Sequence, residues 1–330
     1  MKSASILTLG AVALLAACSD GNGITEDKSG NNNNGGAGGA TSITAANAMV
    51  VTRITYESAL SAGVAAEFSG VTGIVAARPG PVSKIDGSFA TEISARTAAG
   101  NVPIPPTVEG CLEGGTTTIS GEIFDPFTPT FTPDDYFDII YASCDDGFTV
   151  IDGSLFYVVD AFAGDLASGQ YDLTMTATFT DFQIATAEDT LVSNGDVTVR
   201  LNSLQLPFIS ASTSGVSLTV DGNSFSHTLT NFSGFYSQDV EAVPSPFSQG
   251  SLGTIDSTQL PGTIDYSTPV EFTGFDGQYP SEGEFLVVAA NSSVRLIALD
   301  NVNIQLEVDT NGDNEVDEVI NSTWAELEGS

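Results

Sequence analysis

Positive charge is what this sequence most lacks: eight lysines and arginines stand against forty-two aspartates and glutamates, for a formal net charge of −34. A body that acidic repels phosphate backbones and anionic lipid, which excludes nucleic-acid binding and flat docking on an acidic membrane. Histidine occurs once, at His227, and neither Gly-x-Ser-x-Gly nor His-Glu-x-x-His is present. Serine-triad hydrolysis and zincin-type chemistry therefore have almost nothing to work with. Tryptophan also occurs once, at Trp324. Carboxylate pairs such as Asp134-Asp135 arise freely among so many acids, and a sugar-cleaving site would normally bring more tryptophan. Yet only 15% of residues are charged while 41% are hydrophobic, so the chain is not a disordered acidic polymer. The expectation is a folded protein that is not an enzyme and has no catalytic residues.

Long apolar runs are missing too, apart from the N-terminus. Lys2 gives a basic start, and Ile6 to Leu15 is an apolar run broken only by small or hydroxyl residues. At about ten residues it is half the roughly twenty that a bilayer-spanning helix needs, and it reads as a secretory signal over residues 1–17. It ends in Leu15-Ala16-Ala17-Cys18, which resembles the lipobox of bacterial lipoproteins. The resemblance implies a covalent lipid on Cys18, which becomes the first residue and anchors the chain permanently in a membrane. Ser19 rather than aspartate follows, which under the sorting rule of that family implies the outer membrane, facing periplasm or cell surface. Residues 18–41, with Asn31–Asn34 and a Gly-Gly-Ala-Gly-Gly run, form a flexible tether that spaces the folded body some 25–30 Å from the anchor. Without Lys2 the mature part carries seven basic and forty-two acidic residues, a charge of −35.

The body spans 42–330. One helix is expected, from Thr44 to about Gly63, capped by Thr44 or Ser42 and covering a sheet face or barrel end. From Gly70 onward apolar residues alternate with hydroxyls, and turn residues recur every eight to twelve positions. Tyr171–Phe182, Val197–Leu201, Val216–Val220 and Val294–Leu299 are the clearest strands. The predicted class is mainly β: a large antiparallel curved sheet, half-barrel or sandwich with one N-terminal capping helix. Prolines in 101–135 and 241–262 mark loops or edges, the second being a candidate subdivision of the body. Two imperfect repeats run through it. One is Ile85-Asp86-Gly87, Ile119-Ser120-Gly121, Ile151-Asp152-Gly153 and Val220-Asp221-Gly222; the other pairs Phe179 with Phe182, Phe232 with Phe235, and Phe272 with Phe275. Ordinary turns or bulges and core filling account for both.

With Cys18 set aside, Cys111 and Cys144 remain, an even pair in an oxidising compartment, which predicts a disulfide. His227 lies in an alternating stretch that places it on a strand, exposed or facing a lumen. The one constellation suggestive of a site is Asp309, Asn311, Asp313, Glu315 and Asp317, with oxygens at alternate positions that can converge on a hard cation. It is similar to the Asp-x-Asn-x-Asp calcium loops of dockerins and thrombospondin type 3 repeats, which implies Ca2+ as a cofactor. It departs from the EF-hand pattern at Asn314 and Ile320, and an acidic hairpin turn on Asn311-Gly312 explains it as well. The Cys111 and Cys144 segments, and the ending Thr323-Trp324-Ala325-Glu326-Leu327, resemble uncharacterised β-rich lipoproteins of Gram-negative bacteria. That resemblance implies no activity. The expected role is an outer-membrane lipoprotein, structural in the envelope or binding a protein, glycan or hydrophobic partner. The alternative is a calcium-dependent carbohydrate-binding or hydrolytic surface protein.

Overall fold

The computed structural model describes residues 42–67, 102–123, 131–165, 168–187, 189–260 and 262–329. The signal, Cys18, the tether, Ile85-Asp86-Gly87, Pro126, Pro129 and Pro261 lie outside them. Among the described residues the alternation of the sequence becomes fourteen strands: β1 (Val102–Gly110), β2 (Gly114–Ile123), β3 (Tyr136–Asp145), β4 (Val150–Asp165), β5 (Gln170–Ala185), β6 (Thr190–Gln205), β7 (Phe208–Asp221), β8 (Ser226–Asp239), β9 (Pro246–Ser257), β10 (Ile264–Phe275), β11 (Glu282–Ala289), β12 (Ser292–Ala298), β13 (Asn303–Asp309) and β14 (Glu318–Thr323). They form one antiparallel sheet in strict sequence order, curved and not closed on itself. The sandwich alternative therefore falls away. In this meander every strand pairs only with its sequence neighbours, so hydrogen-bonding partners are always local in sequence.

Period-two burial is clearest in β5, where Tyr171, Leu173, Met175, Ala177 and Phe179 are buried while Asp172, Thr174, Thr176 and Thr178 turn outward. The outward hydroxyls and carboxylates form cross-strand ladders. Thr176 Oγ1 donates to Asp160 Oδ2 at 2.8 Å and stands 3.1 Å from Thr198 Oγ1; Thr178 Oγ1 donates to Asp196 Oδ1 at 2.6 Å. Arg200 grips Asp172 with two hydrogen bonds of 2.8 and 2.6 Å, and this guanidinium holds the Asp172 carboxyl below the usual range.

Helix α1 runs Ala48–Glu67. Its start is fixed by Asn47, whose Oδ1 accepts the Thr44 amide at 2.7 Å while its Nδ2 donates to the Ser42 carbonyl. The Thr44 carbonyl accepts the Ala48 amide at 2.8 Å, so Thr44 stands at the expected cap position and Asn47, three residues on, accepts its amide in return. From Val51 to Ala59 every residue except Arg53 is buried, a pattern that a helix lying on a flat sheet could not give. The curved sheet wraps it, with β6–β9 and β11–β13 in contact. Tyr56 is the centre of this packing: its ring meets Phe272 and Phe285 edge-on at 5.6 and 5.4 Å and Trp324 at 5.7 Å. Trp324 opens a one-turn helix α2 (Trp324–Leu327), which has a full capping box between Thr323 and Glu326.

A row of bulges gives the sheet its curvature, and the Asp-Gly repeat serves it. Ser143 bulges from β3 with φ 48°, and Asp152 of β4 accepts its amide at 2.8 Å and its hydroxyl at 3.2 Å. The next residue, Gly153 (φ 95°), leaves room for the Asp181 carbonyl of β5, which would lie 2.2 Å from any Cβ there. Asp181 bulges in turn with φ 45°, and Asn194 of β6 accepts its amide at 2.8 Å. One bulge in each strand of a pair, capped from the next strand, is the physical content of the repeat at Ile151-Asp152-Gly153. Elsewhere the resemblance is superficial: Gly121 passes under the Tyr136 carbonyl, and Asp221-Gly222 ends β7.

Prolines follow the edge rule with one departure. Pro103, Pro105 and Pro106 lie on the edge strand β1, and Pro133 precedes β3. Segment 241–262, expected as loop or edge, instead contains the interior strand β9. Pro246 is tolerated as its first residue, and pairing with β8 and β10 continues through the segment. Pro269 sits where the β10–β11 register shifts between Ser267 and Val270, another place where a missing amide donor costs nothing.

Candidate functional site

The acidic loop 309–317 is the turn joining β13 to β14, and its carboxylates are spent largely on the loop's own backbone. Asp309 Oδ1 accepts the amides of Asn311 (3.1 Å) and Gly312 (2.7 Å), and Oδ2 accepts that of Asn314 (2.8 Å). Asn311 Oδ1 takes the Asp313 amide at 2.9 Å, and Asp313 Oδ1 takes the Glu315 amide at 2.9 Å. Asp317 Oδ2 accepts the Thr310 amide at 2.8 Å and its hydroxyl at 2.5 Å. Gly312, at φ 77°, supplies the left-handed position that the turn requires. Partial burial pushes the Asp309 carboxyl upward, but the amides of Gly312, Asn314 and Asn311 outweigh it and hold its pKa below the ordinary value. The predicted five oxygens thus share one turn. Among the described residues, no group of three or more histidine, cysteine, aspartate or glutamate side chains is placed to hold a metal ion.

His227 is not exposed. It is buried on the inner side of β8, with Nδ1 2.7 Å from Ser257 Oγ and its ring stacked on Phe225 at 4.4 Å. Nε2 has no hydrogen-bond partner among the described residues. Burial lowers its pKa from 6.5 to about 4, so the ring is neutral at pH 7 and serves as a core side chain. An unfolded chain takes up that proton near pH 6.5 and the folded one only near pH 4. The stability that His227 contributes is therefore fully present above 6.5 and falls by up to about 1.4 kcal/mol per pH unit as pH drops towards 4. We expect His227→Gln to remove this component, so that urea unfolding of wild type minus variant differs between pH 7 and pH 5; an equal difference at both would refute it.

The remaining acidic pair divides. Asp135 is fully buried and accepts the Thr132 amide at 2.8 Å and its hydroxyl at 2.9 Å, while Asp134 is exposed with φ 76°. This is a turn cap, with one carboxylate on each side of the surface.

Cys111 and Cys144 are joined, with Cα atoms 5.3 Å apart, and Thr117 Oγ1 stands 3.4 Å from both sulfurs. The bond reaches across β2, from the β1–β2 turn to the end of β3. Trp324 Nε1 donates to the Pro280 carbonyl at 3.1 Å, and its ring stacks on Tyr279 at 5.8 Å. The sequence offered no signal for the other polar feature of the interior, the 3.4 Å contact from Gln249 Nε2 to Tyr56 Oη, which ties β9 to α1.

Compared with protein-family models, with curated proteins and with solved structures, the chain matches none of them. No helix among the described residues is long and apolar enough to cross a membrane.

Proposed function

We propose that the chain is a lipid-anchored protein of the bacterial outer membrane whose β body has a non-catalytic role, as envelope structure or as a surface for a partner. The observation that supports this reading best is the way the trough of the sheet is used. Its inner side over β6–β13 is filled by the chain's own helix, with Tyr56 packed among Phe272, Phe285 and Trp324. A hydrophobic cargo entering over those strands would have to displace that helix, so the surfaces considered for a partner are the outer face and, among the described residues, the β14 edge. The sole histidine is a stacked core residue, and Asp309 and Asp135 hold turns, in keeping with a scaffold.

Metabolic labelling with palmitate tests the anchor. The full chain is expected to take up label and to sediment with outer membranes, and Cys18→Ser to lose both. A Cys18→Ser protein that stays membrane-bound would sink the reading. The competing calcium-dependent carbohydrate-binding or hydrolytic reading rests on the 309–317 turn. Saturable calcium heat in the wild type that vanishes in Asp313→Ala would promote it above the scaffold.

A further inference from the structure

The two edges of this open sheet differ. On β1, Pro103, Pro105 and Pro106 have no amide to donate, and the register with β2 breaks between Ile104 and Thr107. The Val102–Pro106 part of that edge is a poor template for further pairing. On β14 the register with β13 runs unbroken from Val308↔Glu318 to Asn303↔Thr323, with no proline and no bulge.

The parity of the ladder identifies the free groups. Trp324 donates its amide to the Val302 carbonyl at 3.0 Å, and Leu299 donates to the Asn303 carbonyl at 3.0 Å. In an antiparallel pair bonded and non-bonded positions alternate, so Ile304, Leu306 and Val308 face β14 and bond Ser322, Ile320 and Glu318. Val319 and Asn321 then turn both amide and carbonyl outward, and both residues are exposed. Thr323, next in that series, gives its amide to Glu326 Oε2.

The surroundings of this edge are acidic. Asp313, Glu315, Asp317 and Glu318 lie exposed at its start, and Glu326 and Glu328 beyond its end. Of the three described arginines, Arg200 and Arg295 are paired with Asp172 and Glu284, and Arg53 on α1 lies beside Gly329, beyond the end of β14. A second copy pairing β14 with β14 would set these carboxylates against one another between two chains each carrying −34. We propose that β14 is a docking edge for an extended basic segment of a partner protein, which adds as a fifteenth strand through Val319 and Asn321. This deepens the partner-binding half of the functional reading and does not depend on the lipid anchor.

The test uses a fluorescent octapeptide of alternating lysine and valine, and its glutamate–valine counterpart, titrated into the full chain. Asn321→Pro removes an outward amide that the ladder does not use, so the fold is expected to hold with a melting point within about 2 °C of wild type. It leaves every charge in place, which separates edge pairing from general attraction to an acidic body. The lysine peptide is expected to bind, to bind at least about tenfold more weakly to Asn321→Pro, and to outcompete the glutamate peptide. Hydrogen exchange on wild type keeps the test decisive if the variant misfolds: bound peptide is expected to slow the amides of Val319 and Asn321 and leave Val288 unchanged. Equal binding by Asn321→Pro, equal binding of the two peptides, or a dimer that Asn321→Pro abolishes would each overturn the proposal. Binding that persists in Cys18→Ser, when that variant also keeps its membrane association, would remove the anchor and leave the edge.

Discussion

Trp324→Ala is expected to destabilise the protein by about 3–5 kcal/mol, among the largest effects of any single substitution. The side chain is 1% exposed and closes the core at the point where helix α1, strand β10, the β10–β11 turn and the C-terminus meet. Three aromatic neighbours surround it: Tyr279 stacked at 5.8 Å, Phe272 edge-on at 5.8 Å and Tyr56 tilted at 5.7 Å, which in turn meets Phe285. Truncation removes the transfer energy of an indole and leaves a cavity that the rigid strands cannot collapse into. It also strands the Pro280 carbonyl, which now accepts the indole N–H at 3.1 Å. Trp324→Phe restores most of the volume but not the donor and should recover more than half of the loss in urea titration. An alanine variant within about 1 kcal/mol of wild type would mean that the C-terminal turn does not hold the helix in its trough.

What could be read from the sequence was whatever has a local period. Alternation gave β5, β6 and β12 because one face of each is buried; it also marked β7, although there only Leu218 of the alternating set is buried and Val216 is 78% exposed; and an alanine-rich start gave the helix despite β-branched Val50, Val51, Ile54 and Thr55. What could not be read depends on parity shifts or on distant partners. Phe179 and Phe182 are three apart, which in a regular strand puts them on opposite faces, yet both are buried with rings 5.7 Å apart. The bulge at Asp181 between them resets the alternation. Phe232 and Phe235 have the same spacing, but their bulge residue, Asn231, precedes both, and Phe235 stays 40% exposed. Nothing in the local sequence separates the two cases. The site residues divide likewise. The cysteine pair was countable and paired as expected, whereas the placement of His227 turned on Phe225 and on Ser257, thirty residues away, which no motif marks.

Removing the disulfide, in the Cys111→Ala/Cys144→Ala protein, should cost about 3–4 kcal/mol if the chain unfolds as one unit, because closing a separation of 33 residues restricts the unfolded ensemble. The topology argues that the loss will not be shared evenly. In a meander each strand is held only by its neighbours, and β1 has a neighbour on one side alone. The β1–β2 hairpin is also weakened by prolines and a register break, while its turn is pinned by the Cys111–Cys144 bond and by the Glu113 amide on the Asp145 carbonyl at 2.9 Å. Without the bond, opening of β1 and β2 no longer has to drag β3 with it, and the edge can fray as a local unit. Hydrogen exchange of the double variant is therefore expected to show β1 and β2 amides losing protection, while β11–β13, packed around α1, keep theirs. A uniform loss across all fourteen strands would show that the sheet opens as a single cooperative body and that the staple acts on the whole fold; no loss anywhere would show that β3 holds the hairpin unaided.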